Sequence, residues 1–138
     1  MIKEIIEKWE KNKHILENYF RTTRQEEYSD YQIIVKKLIE LVLNIDELHN
    51  VFDLEKLTVL DHGDYQGTQI FIVPKKTYQP DVEDYLVTHT YYGSCSGCDT
   101  LQSINLYRDE LPNEEQISEY MTLALHLIQK MKWLDSDD

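Results

Sequence analysis

Apolar residues recur every three or four positions over the first 22 residues, with Lys and Glu between them. This spacing places the apolar side chains on one face of a helix and predicts a long amphipathic helix near residues 2–22. The members of the stripe are Ile2, Ile5, Ile6, Trp9, Leu16, Tyr19 and Phe20.

A second helical stripe follows, and it predicts a helix near residues 24–44. Thr23 with Glu26 three residues later fits a capping box at its start. The stripe contains Tyr28, Tyr31, Ile34, Val35, Leu38, Leu41 and Val42. We expect the two helices to form an antiparallel pair joined at residues 21–24.

The middle of the chain changes to short runs rich in β-branched and aromatic residues, at residues 57–60, 68–73 and 85–92. Segments with Gly, Pro and Asp separate these runs, as is typical of strands joined by turns. The first two runs predict a hairpin closed over residues 61–67. Three strands with no helix between them indicate an antiparallel sheet.

Two further helices are predicted after the strands. Asp99 and Gln102 resemble a capping box for a short helix from Thr100, and the apolar stripe that follows Asn113 predicts a helix over residues 113–134. The element order is ααβββαα, so the fold class is α+β with a three-stranded antiparallel sheet flanked by long helices. We expect one domain over residues 1–138, with residues 135–138 as a frayed acidic tail.

Charge is distributed unevenly along the chain. Residues 1–60 carry 9 basic and 12 acidic residues, a net charge of −3, and residues 61–138 carry 5 and 14, a net charge of −9. Such a field repels phosphate backbones and attracts basic surfaces. It argues against direct nucleic-acid binding and favours a partner protein with a basic surface. The alternative is that the negative charge only keeps a small protein in solution. The ratio of ten Tyr to three Phe points weakly to an interface.

The sequence gives expectations for the cellular compartment and for the role of the cysteines. No apolar run is long enough to span a bilayer, and the first residues alternate acidic and basic side chains, so we expect a cytoplasmic protein that does not enter membranes. Cys95 and Cys98 are the two cysteines, and a disulfide between them would close a very short loop. They are not expected to be fold-stabilising cross-links.

The segment YGSCSGCD at residues 92–99 is the most concentrated chemical signal. It lies between a predicted strand and a predicted helix start, where free amides favour anions and thiolates. Three interpretations remain open: a metal site, a redox dithiol, and a tightly packed loop in which Cys95 and Cys98 act as small buried apolar residues. The packed loop is the simplest, because the βαβ unit that accompanies a thioredoxin-type dithiol is absent from the predicted order.

A zinc site would need ligands beyond the two thiolates. His62 and Asp64 in the predicted hairpin turn and His89 on the third strand are the available partners. Because they come from separate elements and no second Cys-x-x-Cys occurs, we expect less than one equivalent of tightly bound zinc and no other cofactor. Asp61, His62 and Asp64 could also act as acid/base groups, but a polar turn needs such residues for its own hydrogen bonds, and we favour this structural explanation.

The pair DYQG at residues 64–67 and YGSCSGCD at residues 92–99 resembles the two signatures shared by a group of small phage and prophage proteins of uncharacterised function. The similarity runs from about Thr58 through the last helix and includes LPNEEQ. It implies a phage origin and a single place built from both motifs. The ligand- or partner-binding candidates are Asp64, Tyr65, Gln66, Tyr92, Ser94, Ser96 and Asp99.

These observations lead to two hypotheses of different classes. The first is an acidic phage-type accessory protein that binds and blocks, or adapts, a host defence or nucleic-acid-binding protein in the host cytoplasm. The second is a small-ligand or metal-binding protein that uses the DYQG turn and the cysteine loop, with or without catalysis. No complete catalytic set or known enzyme motif occurs in the sequence, so the first is favoured.

Overall fold

The computed structural model describes residues 2–25, 30–45, 52–63, 66–93, 99–105 and 111–135. The helices are α1 (Lys3–Thr22), α2 (Tyr31–Leu38), α3 (Thr100–Ile104) and α4 (Glu114–Gln129), and the strands are β1 (Thr58–Gly63), β2 (Gly67–Pro74), β3 (Tyr85–Tyr92) and β4 (Lys132–Trp133). The strands form one antiparallel sheet in the order β1-β2-β3-β4. The predicted α+β class is confirmed, and the sheet has four strands where three were expected.

Helix α1 buries the predicted stripe. Leu16 and Phe20 are fully buried, and the Phe20 ring stacks on Tyr120 of α4 with ring centroids 4.7 Å apart. Asn12 is also buried on this face, and its amide donates to the Val42 carbonyl at 2.9 Å. Because the last carbonyls of a helix lack partners within it, this hydrogen bond ties α1 to the end of the second helical segment.

The second helix begins later than its stripe predicted. Residues 23–25 are not helical, and Asp30 is the N-cap of α2, where its carboxylate accepts from the Gln32 amide at 3.2 Å. The start predicted at residue 24 is therefore wrong, because the Asp30 cap supplies the acceptor that a helix N-terminus needs. Glu26 and Tyr28, which were assigned to this start, lie outside the described residues. The helix continues as a π-helix over Ile39–Leu43, close to the predicted end.

The central hairpin is longer than predicted. Strands β1 and β2 pair from Thr58 with Ile72 to Gly63 with Gly67, so residues 61–63 and 67 belong to the strands. The predicted turn over residues 61–67 is too wide, because strand pairing uses backbone groups and continues through polar side chains. Strand β3 spans the predicted residues. A connection that contains a 3₁₀-helix, Val82–Asp84, joins β2 to β3 at the other end of the sheet.

The predicted final helix is wrong over its last residues. Asn113 and Gln116 form a capping box at the start of α4, as helix capping requires, but the helix ends at Gln129 and the chain then pairs with β3 as strand β4. The Leu134 amide donates to the Tyr85 carbonyl at 2.8 Å, and the Trp133 ring lies 6.1 Å from that of Phe52. Sheet hydrogen bonds and the partial burial of this indole favour the extended conformation over a continued helix.

The buried residues of α1, α2, α4 and the sheet belong to one hydrophobic cluster. Along β2 and β3 alternate residues face it, including Phe71, Val73 and Leu86, while Tyr91 on the opposite face is 69% exposed. This alternation is expected of an antiparallel sheet with helices on one side. In the described part of the chain, no helix is long and apolar enough to cross a membrane.

Candidate functional site

The two motifs of the sequence meet at one end of the sheet, which we call the turn end. Gly67 pairs with Gly63 on one side and with Tyr92 on the other, so the hairpin turn lies beside the end of β3. An added Cβ at Gly67 would lie 2.2 Å from the His62 carbonyl oxygen, closer than any side chain tolerates. The glycine of DYQG is therefore required by the approach of the two strands.

A side-chain contact also ties Tyr92, the first residue of the second motif, to strand β1. The Tyr92 hydroxyl donates to one Asp61 carboxylate oxygen, and the Gln69 amide donates to the other at 3.3 Å. Asp61 and Gln69 are directly paired across β1 and β2, whereas Tyr92 lies on β3. Asp61 is thus a strand residue that connects three strands, and the turn-forming role expected for it is corrected.

Asp99 is the most buried of the candidate site residues that the structure describes, with 4% of its surface exposed. Its carboxylate accepts from the Gly93 amide at 2.8 Å and from the Tyr31 hydroxyl at 2.9 Å. The same hydroxyl accepts from the Leu101 amide at 3.0 Å. This network joins the end of β3, the start of α2 and the start of α3, so the Asp99 carboxylate has a structural role.

The Tyr31 phenol remains protonated in this network. Burial raises the pKa of Tyr31 above its ordinary value; the hydrogen bond from the Leu101 amide acts in the opposite direction, and the neighbouring Asp99 carboxylate raises the pKa further. A protonated phenol is the form that can donate to the carboxylate. The arrangement therefore favours a fixed hydrogen-bond network over an acid or base that exchanges protons with a substrate.

The two histidines proposed as metal ligands lie on the face of the sheet that is opposite to the helices. His62 pairs with Thr68, and His89 pairs with Ile70, so the two histidines are on β1 and β3 with β2 between them. Residues 2–25, 30–45, 52–63, 66–93, 99–105 and 111–135 contain no group of three or more His, Cys, Asp or Glu that could hold a metal ion. Burial lowers the pKa of His89, and the charges of Lys130 and Lys132 lower it further.

Several predicted residues fall beyond what the structure describes. Among the described candidates, Gln66 is exposed and Tyr92 is partly buried. Those outside the described residues are Asp64, Tyr65, Ser94, Cys95, Ser96 and Cys98. Whether the turn and the cysteine loop share side-chain contacts stays a prediction, as do the metal, redox and packed-loop interpretations of the thiols.

The opposite end of the sheet carries a surface that sequence analysis did not identify. On the connection between β2 and β3, Tyr78 is 95% exposed and Val82 is 54% exposed. A groove of about 390 Å³ beside this connection is lined by Glu4, Lys75, Glu83, Trp133 and Asp135. We call the surface formed by Glu4, Tyr78, Val82, Glu83 and Asp135 the acidic pole.

Three carboxylates elsewhere on the described surface form ion pairs, whereas those of the acidic pole do not. On the helices, Glu10 pairs with Lys13, Glu40 with Lys37 and Glu114 with Arg21. Within the described residues, no such partner lies within 4 Å of the three carboxylates of the acidic pole, Glu4, Glu83 and Asp135. The signal in the sequence was the run TYQPDVED, an aromatic residue among carboxylates, which had been interpreted only as a strand boundary.

Comparison with protein-family models, with curated proteins and with solved structures finds no match to this chain.

Proposed function

We propose that this protein acts by binding a partner protein that has a basic surface, and that the acidic pole is the contact. The observation that carries the proposal is Tyr78, an aromatic side chain left 95% exposed on the same β2–β3 connection as Glu83, a carboxylate with no ion-pair partner among the described residues. Tyr is enriched at protein interfaces because its rigid ring supplies contact area and its hydroxyl supplies a hydrogen bond. Nothing in this activity requires a reaction or a cofactor.

The carboxylates define the chemistry of the partner. Glu4 and Asp135 approach Glu83 from the two ends of the chain, with Lys75 as the cation in the same groove. The Lys75 ammonium lies over the Trp133 ring, 4.9 Å from its centroid. A basic surface would gain favourable contacts here, whereas a nucleic-acid backbone would be repelled by a chain whose net charge is −12.

The resemblance to phage and prophage proteins extends the proposal to a biological setting. Small acidic phage proteins often bind a host protein and block the surface that would otherwise contact nucleic acid. On this basis the partner is a host defence or nucleic-acid-binding protein, and the site of action is the host cytoplasm. The motif pair at residues 64–67 and 92–99 supports the setting, and the acidic pole supports the mode of action.

The test is capture of partners from a bacterial host lysate by three forms of the protein. One is the natural sequence, the second carries Tyr78→Ser with Glu83→Gln, and the third carries Leu111→Ser with Glu115→Gln as a matched control. Leu111 is 55% exposed and Glu115 is exposed, so the control removes one apolar side chain and one carboxylate elsewhere.

We expect the natural and control forms to capture the same protein and the pole variant to lose it. Capture should weaken as salt rises, because exposed charges are screened over roughly 8 Å at physiological ionic strength. Equal capture by the pole variant, or capture that does not depend on salt, would contradict the proposal.

A second candidate function is a small-ligand or metal site at the turn end. It is favoured by the pairing of Gly67 with Tyr92, which brings DYQG and the start of YGSCSGCD to one place. Elemental analysis of untagged protein tests the metal form. Stoichiometric zinc, with a melting temperature that falls on chelation and in Cys98→Ser, would support this candidate, since a structural metal contributes directly to folding.

A further inference from the structure

A cleft of about 400 Å³ lies between α4 and the uncovered part of β3, with α3 closing one end. Strand β4 pairs with Leu86 and Val87, and among the described residues no strand neighbours β3 from Thr88 onward on this side. The Thr88 hydroxyl donates to the Leu127 carbonyl at 2.7 Å and holds α4 beside the strand. The cleft is therefore a fixed feature of how the last helix meets the sheet.

The inner wall of the cleft is apolar. Ile104 of α3 and Leu123 and Leu127 of α4 line it, and all three belong to the buried residues of the fold. Small-molecule sites in proteins typically have volumes of roughly 300 to 1,000 Å³ and an apolar lining with a few polar groups. The dimensions and lining of this cleft match that description.

The rim near the end of α4 carries one lysine, Lys130. Lys130 and His126 both line the cleft, and the Lys130 ammonium lies 3.5 Å from the His89 carbonyl oxygen and 5.9 Å from the centroid of the Tyr91 ring. Among the described residues no carboxylate lies within 4 Å of this ammonium. The cleft therefore joins an apolar wall to one ammonium group with no carboxylate beside it among the described residues.

A carboxylate of the protein limits how much negative charge a ligand can carry. Glu119 lines the same cleft, and it precedes Lys130 by 11 residues on the same chain segment, about 16 Å at helical rise. Glu119 and the overall negative field oppose a multiply charged anion. One negative group directed at Lys130, joined to an apolar body on the inner wall, fits the distribution of charge.

We propose that the cleft binds a small apolar molecule that carries a single carboxylate. The apolar body packs on Ile104, Leu123 and Leu127, and the carboxylate lies against Lys130. The site is separate from the acidic pole and does not depend on the proposed partner binding: the pole adjoins the β2–β3 connection, whereas the cleft lies beside the C-terminal half of β3.

The test uses three probes of one shape, 3-phenylpropanoate, 3-phenylpropanamide and 3-phenylpropylammonium, with binding followed by saturation-transfer NMR. We expect the carboxylate to bind about fivefold more tightly than the amide, which is the largest contribution expected of a partly exposed ion pair. The ammonium should bind most weakly. In Lys130→Gln the affinity for the carboxylate should fall to that for the amide. Lys130→Arg should keep the preference, and Lys36→Gln, an exposed lysine on α2, should change nothing.

A second variant separates the cleft from nonspecific adsorption. Thr122 is exposed and lines the cleft, so Thr122→Trp should obstruct it and abolish binding of all three probes. Gln129→Trp, on an exposed residue of the same helix outside the cleft, is the matched control and should bind as the natural protein does. Equal affinities for the three probes, absence of binding, or binding of the carboxylate that survives both Lys130→Gln and Thr122→Trp would overturn the proposal.

Discussion

The two ends of the sheet use polar residues in opposite ways. At the turn end, Asp61 and Asp99 accept hydrogen bonds from other parts of the chain, and Asp99 is almost fully buried. At the acidic pole, Glu83 is exposed and Tyr78 has nearly its full surface in solvent. At the turn end, Asp61 and Asp99 thus hold strands and helices together, whereas Glu83 and Tyr78 at the acidic pole are left in solvent.

This difference predicts that substitutions at one end of the sheet will change the stability of the fold and substitutions at the other end will change binding. A buried polar group that loses its partner retains its desolvation penalty, whereas an exposed one is solvated in the folded and unfolded chain alike. Substitutions at the turn end should therefore lower the free energy of unfolding. Substitutions at the acidic pole should leave it unchanged and should act on association.

The largest expected effect is that of Asp99→Ala. The substitution leaves the Gly93 amide without its acceptor and removes the partner of the Tyr31 hydroxyl, so we expect the free energy of unfolding to fall by about 3 kcal/mol. Urea denaturation followed by circular dichroism measures it. Glu83→Ala is the control at the acidic pole and should stay within about 0.5 kcal/mol of the natural protein. If the two substitutions changed the free energy of unfolding equally, the two ends of the sheet would not differ in their contribution to stability.

The next effect is that of Gly67→Ala. The added methyl group would lie 2.2 Å from the His62 carbonyl oxygen, so the strands must separate at the turn, and we expect a loss of about 2 kcal/mol, as for overpacked sites. Hydrogen exchange should show faster opening of residues 61–63 and 67–69 than in the natural protein. Unchanged protection there would show that the close pairing of the glycines is not needed.

A smaller effect is expected at His89, between the two ends. Burial lowers the pKa of His89 below its ordinary value of 6.5, and Lys130 and Lys132 lower it further. The unfolded chain therefore binds a proton at a higher pH than the folded one, so stability falls as the pH drops below about 6.5, until the folded pKa is reached. His89→Gln should make the melting temperature less dependent on pH between 7 and 5. An unchanged dependence in this variant would contradict the lowered pKa.

The smallest change in stability is expected for Tyr78→Ser. Because the side chain is 95% exposed, the free energy of unfolding should change by less than about 0.5 kcal/mol. The same variant should lose affinity for the partner that the natural protein captures. Loss of stability in Tyr78→Ser would indicate that the ring packs against the domain in solution and would weaken its assignment to an interface.

Much of the fold follows from local patterns. Residues close together in the sequence identify three of the elements: the 3.6-residue stripe for α1, the Asn113 cap for α4 and the β-rich run for β3. The sites that patterns missed depend on distant residues. Trp133 pairs with Leu86 in the sheet and packs beside Phe52, and neither contact is visible in the apolar stripe that predicted helix to residue 134.

The candidate site shows the same division. The sequence by itself placed DYQG and YGSCSGCD at strand ends, because glycine and polar residues mark such positions locally, and in the structure Gly67 begins β2 and Tyr92 ends β3. Only the tertiary structure decided that Gly67 lies opposite Tyr92, that Asp99 is buried against Tyr31 and that Tyr78 is left in solvent. Strand register and burial depend on which distant elements pack together, and for that reason the same residue type, Asp or Tyr, is structural at one end of the sheet and exposed at the other.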